Sequence, residues 1–401
     1  SPPHPWRVVR GRDPNWVKFY GQRETSGGYF TSGCGTEIYQ GRLFPREMVG
    51  QLFCCEPSNN VIHRSVLSLE GSAYQARRMA DEAGSEFLAS GDPWFRPVNL
   101  RVGPDGAMYI VDMYREIVED YSAIPRFLQQ RYGLAGGRKL GRIWRLIPEQ
   151  ARLRPAIAWH EASDEVLLKQ LGDENAWHRF TAQRLLIDRG GRTAVGGLAK
   201  MVRKGRSVAA RLHALYTLDG LGALGPADIA AALEDADAGV RIHGLRLSER
   251  ILPDNAETVR RLSRLASDKE PRVRLQAALT LGESKTPAAD SSLLALARRS
   301  GQEQWMSAAI LSGSRDRAGG LLVGLLAEKT LGPGGRELVG PLAATLGARR
   351  RLSEWAPLLE AVLRHNTDVK TACLKGLVAG LDGSTQRPRG VEGTWPPLAK
   401  L

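Results

Sequence analysis

Cysteine is scarce in this chain, with four in 401 residues and neither a CxxC pair nor a Cys/His cluster. A disulfide-built scaffold and a zinc finger are both excluded. The longest apolar runs, "LLALA" and "LLVGLLA", fall far short of the roughly 20 residues that span a bilayer. Catalytic signatures are also missing: there is no GxSxG, no HExxH, no Gly-rich loop followed by Lys-Ser or Lys-Thr, and no CxxCH haem attachment. "LGPGGREL", residues 331–338, has the glycines of a phosphate cradle but lacks a strand before it and a lysine after it, so it reads as an inter-helical turn. The first residues, "SPPHPWRVVRGRD", carry no initiator Met and no apolar leader, as expected of a piece from within a longer protein. Charge is plentiful, with a net +13 and a pI near 9.8. Arginine is interleaved with Asp and Glu throughout, which describes a mildly basic solvated surface better than a polyanion site.

The patterning changes midway. Up to about residue 148 the chain consists of short strand-like runs punctuated by Gly and Pro: "WRVVR", "GYFTSG", "TEIYQG", "GQLFCCEP", "VIHRSVLSLEG" and "GRIWRLI". Strands at such intervals indicate a sandwich, barrel or propeller. Within "FRPVNLRVGPDGAMYIVDMYRE", residues 95–116, two apolar runs flank "GPDG", a hairpin signal. One helix is expected in "SAIPRFLQQRYG", with a Ser cap, an early Pro and a closing Gly133. Cys34, Cys54 and Cys55 lie close together here. In an oxidising compartment Cys34 would bridge to Cys55, or less favourably to Cys54; otherwise all three are reduced core thiols.

Beyond a linker at 149–160, bracketed by Pro148 and Pro155, amphipathic helices take over. The segments "WHRFTAQRLL", "AARLHALYTL", "GVRIHGLRLS", "RVRLQAALTL" and "QWMSAAILSG" superimpose when Arg179, Arg211, Arg241, Arg274 and Met306 are equivalenced, in steps of about 32 residues. Ala182, Ala214, Gly244, Ala277 and Ala309 then coincide, and two further steps reach Leu338 and Lys370, with Cys373 in the small-residue position. Such a repeat cannot bury its own apolar face, so neighbours stack into an α-solenoid of about seven repeats over 161–401. The turns "DADAGVR" and "DKEPRVR" resemble HEAT repeats. His178 and His213 occupy different registers and read as structural histidines on helix surfaces rather than ligands.

Three stretches of the strand-rich part, "GYFTSGCGTEIYQGRLFPREMVGQLFCCEPSNNVIHR", "SEFLASGDPWFRPVNLRVGPDGAMYIVDMYREIVE" and "GRIWRL", resemble successive landmarks of the PVC-type membrane-bound dehydrogenase-like proteins. That family joins a quinoprotein-type β-propeller to HEAT repeats and often ends in a c-type haem domain. The resemblance implies a partial propeller over residues 1–148, two to three blades similar to the late blades of glucose and sorbosone dehydrogenases. It also implies pyrroloquinoline quinone and calcium in the intact relative, export to the periplasm, and a c-type cytochrome module as electron acceptor. On the matching motifs, His63 would be the base, Arg64, Arg96 and Arg115 would meet the quinone carboxylates, and Asp112 would bind the cation. The structural alternatives are Asp112 and Arg115 as a buried ion pair, Glu56 as a turn cap, and Arg96 as a brace of the "DPWF" loop.

Three functions compete on this reading. The first is a fragment of a sugar or alcohol dehydrogenase, inactive alone. The second is a non-catalytic scaffold whose concave solenoid face binds a protein or polysaccharide. The third is a basic nucleic-acid binder, marked by steep salt dependence.

Overall fold

A computed structural model of the chain describes residues 30, 32–115, 136–153, 155–250 and 256–382. The helix expected at 122–133 lies outside the described residues, as does the first strand-like run, "WRVVR". Two compact units emerge, one of residues 1–69 with 74–194 and one of 70–73 with 195–401.

The first unit carries two antiparallel meanders. Strands β1 (Cys34–Ile38), β2 (Leu52–Glu56), β3 (Val61–Glu70) and β4 (Ala73–Arg78) pair in sequence order, and the short β5 (Leu88–Ala89) adds to β3. The second sheet is β6 (Pro97–Val102), β7 (Met108–Asp112) and β8 (Arg142–Leu146), again in sequence order. Side chains alternate along each strand, so Phe53, Cys55 and Ile62 from the first sheet meet Leu100, Met108 and Ile110 from the second in one apolar core. The "GPDG" hairpin forms as expected, with Val102 opposite Met108 and Gly106 at φ 85°, a conformation that glycine adopts without a steric penalty.

Two helices complete this unit: α1 (Asp164–Gln170), capped by Ser163, and α2 (Ala176–Asp188), capped by Asn175. The second unit holds α3 (Val195–Lys204), α4 (Val208–Gly220), α5 (Pro226–Leu233), α6 (Ala238–Ser248), α7 (Ala256–Leu265) and α8 (Pro271–Glu283). It continues through α9 (Pro287–Ser300), α10 (Met306–Ser312), α11 (Ala318–Leu326), α12 (Pro333–Arg349), α13 (Trp355–Val362) and α14 (Thr367–Asp382). The odd-numbered helices α3 to α13 each pack on the next odd one, the even-numbered α4 to α14 each on the next even one, and each pair on itself. No substantial contact joins helices more than three apart in order, the pattern of a neighbour-stacked helical repeat.

The recurrent arginines explain why the repeat is legible. Arg211 donates to the Gly205 carbonyl (2.9 Å) in the turn before its own helix and to both Asp235 oxygens (2.7 and 3.0 Å) in the following turn. Arg241 repeats this with the Asp235 and Ala236 carbonyls (2.8 and 3.0 Å) and both Asp268 oxygens (2.8 and 2.9 Å). Arg274 does so with the Asp268 and Lys269 carbonyls (2.7 and 3.1 Å) and Glu303. Each guanidinium therefore satisfies carbonyls of one turn and a carboxylate of the next, and its planar fork suits both at once. The series stops where Met306 replaces the arginine.

Small residues set the helix spacing. A Cβ on Gly376 would lie 2.2 Å from the Gly340 carbonyl oxygen, and one on Gly380 would lie 2.0 Å from that of Ala344. Helices α12 and α14 touch backbone to backbone. "LGPGGREL" is more than a turn: Gly332 is the cap and Pro333 to Leu338 open α12.

Candidate functional site

The "GPDG" turn fixes where α2 stands. Asn175 Nδ2 donates to the Gly103 and Pro104 carbonyls (3.0 and 3.1 Å), and His178 Nε2 donates to the Pro104 carbonyl (2.8 Å). Arg179 donates to the Asp173 and Glu174 carbonyls (both 2.8 Å) as its repeat position requires, and its other edge reaches Gln40 Oε1 (2.7 Å) at the end of β1. Burial lowers the Arg179 pKa, partly offset by Asp173. His178 and His213 are both buried, not on the helix surface as expected from sequence; for His178, amphipathic spacing alone does not show that the Pro104 carbonyl waits opposite.

Docked this way, α2 walls a groove of about 380 Å³ against β1 and β6. Its apolar lining includes Ile38, Trp177 and Phe180. The polar lining is Glu37, Gln40, Arg101, Thr181 and Arg184. Trp159 lies edge-on to Trp177 and His178, with ring centroids 5.5 and 5.3 Å apart.

The residues singled out for chemistry fall into separate clusters elsewhere. Asp112, at the end of β7, is buried; Oδ1 accepts the backbone N–H groups of Arg96 and Tyr114 (both 2.8 Å), and Oδ2 accepts Trp144 Nε1 (2.9 Å). It organises a strand end through N–H donors, with no ion pair to Arg115. Arg96 braces the same corner, donating to the Pro57 carbonyl (2.8 Å) and the Arg115 carbonyl (2.9 Å). Glu56 accepts the Ser32 N–H (3.0 Å) and Asn59 Nδ2 (3.2 Å).

His63 and Arg64 are consecutive on β3, so they project to opposite faces. His63 Nδ1 meets Glu86 (2.8 Å) and Nε2 meets the Ser65 hydroxyl (3.0 Å). Arg64 pairs with Glu82 (2.8 Å) and Asp81 (3.2 Å). Burial would raise the Glu86 pKa, but the hydrogen bonds and charges of His63 and Arg78 outweigh it and hold the group near 2.

None of His63, Arg64, Arg96, Asp112 and Arg115 lines the groove. Among the described residues, no three His, Cys, Asp or Glu side chains group as a metal site. No helix among them is long and apolar enough to cross a membrane.

All four cysteines are thiols here. The expected Cys34–Cys55 bridge is not closed although the two are partners across β1 and β2. An irregularity in the pairing follows Cys34, and burial, then Cys34 and Cys54, pushes the Cys55 pKa up to about 12, which disfavours the thiolate that disulfide exchange needs. Cys373 sits buried in α14 as the small core residue expected, its pKa raised to about 11 by burial.

Comparison with known proteins divides along the same line. No curated protein matches the chain. Among solved structures, the X-ray structure of YibA from Escherichia coli aligns with a TM-score of 0.32 and 16% identity, covering 57% of this chain and 99% of that one. Residues 6–150 match a domain of unknown function, DUF7133. Residues 226–312, which hold the Arg241 and Arg274 clamps, match HEAT repeats.

Proposed function

We propose that the chain works as a recognition scaffold, a HEAT-type helical stack that holds a protein partner, with no catalysis of its own. The observation behind this reading is the run of arginine clamps. Buried charge in the second unit serves to lock one repeat to the next, which gives a rigid frame that presents side chains from successive helices. Leu279 on α8 and Val378 on α14 are exposed apolar side chains on two such helices, the kind of group that anchors a partner. Photo-crosslinkers placed at 279 and 378 test it. Capture of one protein at both positions, lost on Leu279→Glu with helicity intact, supports the scaffold; capture of nucleic acid, or of nothing, removes it.

A second reading has one observation in its favour. The two meanders in sequence order, β1–β4 and β6–β8, have the strand order of propeller blades, as in an arc of the quinoprotein-type dehydrogenase the sequence resembles. Such an arc in an exported relative would work with pyrroloquinoline quinone and calcium and pass electrons to a c-type haem module. The residues present fit that cofactor poorly: both Asp112 oxygens already accept N–H donors, and the Arg96 guanidinium is spent on backbone carbonyls. Dye reduction on aldoses after addition of the quinone and calcium would favour this reading; the scaffold predicts none.

A further inference from the structure

We infer that the row of turns leading into α4, α6, α8, α10 and α12 takes an extended acidic segment of a protein partner, with carboxylates at every third residue and an apolar side chain seated on Trp305. The inference rests on the scaffold reading and names the chemistry of one ligand that the stack would hold.

The turns lie side by side because the clamps join them. Arg211 joins the turn at Gly205 to Asp235, Arg241 joins that turn to Asp268, and Arg274 joins the next to Glu303. Arg298 extends the row to Glu328 (2.9 Å), and the start of α12 comes so near that a Cβ on Gly301 would lie 2.8 Å from the Gly334 Cα.

Charge along this row is one-sided. Glu234, Asp235, Asp268, Glu270, Glu303 and Glu328 are each paired with an arginine, and Asp237 accepts the Gly239 and Val240 N–H groups. Lys204, Arg206, Lys269, Arg299 and Lys329 are exposed, and their side chains make no hydrogen bond or ion pair among the described residues. The unmatched charge is therefore positive, which selects an anionic partner. The opposite ends of the helices differ: the turns after α8 and α10 expose both signs, Glu283 with Lys285 and Arg315 with Asp316.

Trp305 supplies the apolar contact. It is 62% exposed and sits at φ 68° immediately before α10, a left-handed backbone that is strained for a bulky side chain. A ring so exposed adds little to the core, whereas against a partner it is a large anchor. Geometry then sets the ligand. Stacked helices lie about 8–10 Å apart and an extended peptide rises about 3.3 Å per residue, so three residues match one step of the row. A nucleic acid duplex, with about one negative charge per 1.7 Å of axis, is far denser than a row with at most two of these cations in a turn.

The test is fluorescence anisotropy with the full chain and three labelled 15-residue peptides, each with a central Leu among serine spacers. One carries Glu at every third position, one has the same residues with its Glu gathered at one end, and one has Lys in place of Glu. Exposed ion pairs are individually weak, so affinity depends on several meeting in register. The periodic peptide should bind about tenfold more tightly than its isomer, the lysine peptide should not bind, and the difference should shrink at high salt. Lys269→Glu should weaken the periodic peptide about tenfold. Lys285→Glu, the same charge change beyond the other end of α8, should leave it unaltered. Trp305→Gly should weaken binding with hydrogen exchange in α10 undisturbed, because glycine accepts the left-handed backbone. Equal affinity of the two acidic isomers, indifference to Lys269→Glu, no binding at millimolar protein, or tighter binding of a 15-residue oligothymidylate would each overturn the inference. Photo-crosslinking at 279 and 378 reports on the scaffold separately, so failure of this inference is seen apart from failure of that reading.

Discussion

Replacing Arg241 by Ala should loosen the helical stack locally and by a large amount. Arg241 and Asp268 are each only 9% exposed in their side chains, and the pair is bidentate. Removing one member of a buried ion pair costs about 3–5 kcal/mol, because the other charge stays buried without its partner. Two features move this value in opposite directions. Asp268 keeps the Glu270 N–H (2.9 Å), which softens the loss, while the Asp235 and Ala236 carbonyls lose a donor, at about 1 kcal/mol each. The expected total is about 4 kcal/mol. At about 1.4 kcal/mol per decade, amide hydrogen exchange in α6 and α8 should accelerate by roughly a thousandfold. Hydrogen exchange is the right assay because a chain of two units has no single unfolding free energy. An exposed control, Arg260→Ala, breaks a pair whose members are 70% and 56% exposed and should change protection by less than about 1 kcal/mol. Acceleration below tenfold in α6 and α8, or equal acceleration in β6 and β7, would refute the reasoning.

Three further outcomes are expected. Gly380→Ala should destabilise by about 1–3 kcal/mol despite a gain of about 1 kcal/mol in helix propensity, since the new methyl meets the Ala344 carbonyl; Gly320→Ala, with nothing within 4 Å of its new Cβ, should stabilise by about 0.5–1 kcal/mol, and hydrogen exchange in α14 and in α11 decides the matter. Glu86 should make folding acid-sensitive. Its folded pKa near 2 lies below the ordinary 4.5, so its contribution is present above pH 4.5 and lost as pH falls toward 2. Discounted for solvent screening, that contribution is about 2–3 kcal/mol. The stability gap between parent and Glu86→Gln should close over that window, and a gap independent of pH would show that the His63 and Arg78 pairing is not its source.

How much of this was legible in the sequence depended on how far each interaction reaches. The arginine period was visible because every clamp starts from the same place, with Arg241 and Arg274 each bonding carbonyls five and six residues back. Their carboxylate partners were less visible. They lie 24, 27 and 29 residues ahead, a spacing that drifts with loop length, so Glu303 did not stand out as Asp235 and Asp268 did. Asn175 drew no notice in the sequence, yet it caps α2 and its amide ties that helix to the "GPDG" turn. The groove had no sequence signature at all, since Ile38 and Phe180 meet only after that turn has docked α2. Asp112 was noticed for its charge, whereas its structural work is to accept three N–H groups, a role that hydropathy and charge patterns do not encode.

The central claim is that the second unit is a stack of equivalent helix pairs, the first of them locked to the next by Arg211, Arg241 and Arg274. Excising residues 241–273 tests it most directly, because Val240 then runs into Arg274 and one whole repeat step is removed. Arg274 should inherit the Asp235 and Ala236 carbonyls while keeping Glu303. The account predicts a shortened chain that still melts cooperatively with unchanged ellipticity per residue at 222 nm. A chain that binds hydrophobic dye and melts without a transition would contradict it, because helices gathered around one shared centre do not survive the loss of an interior pair.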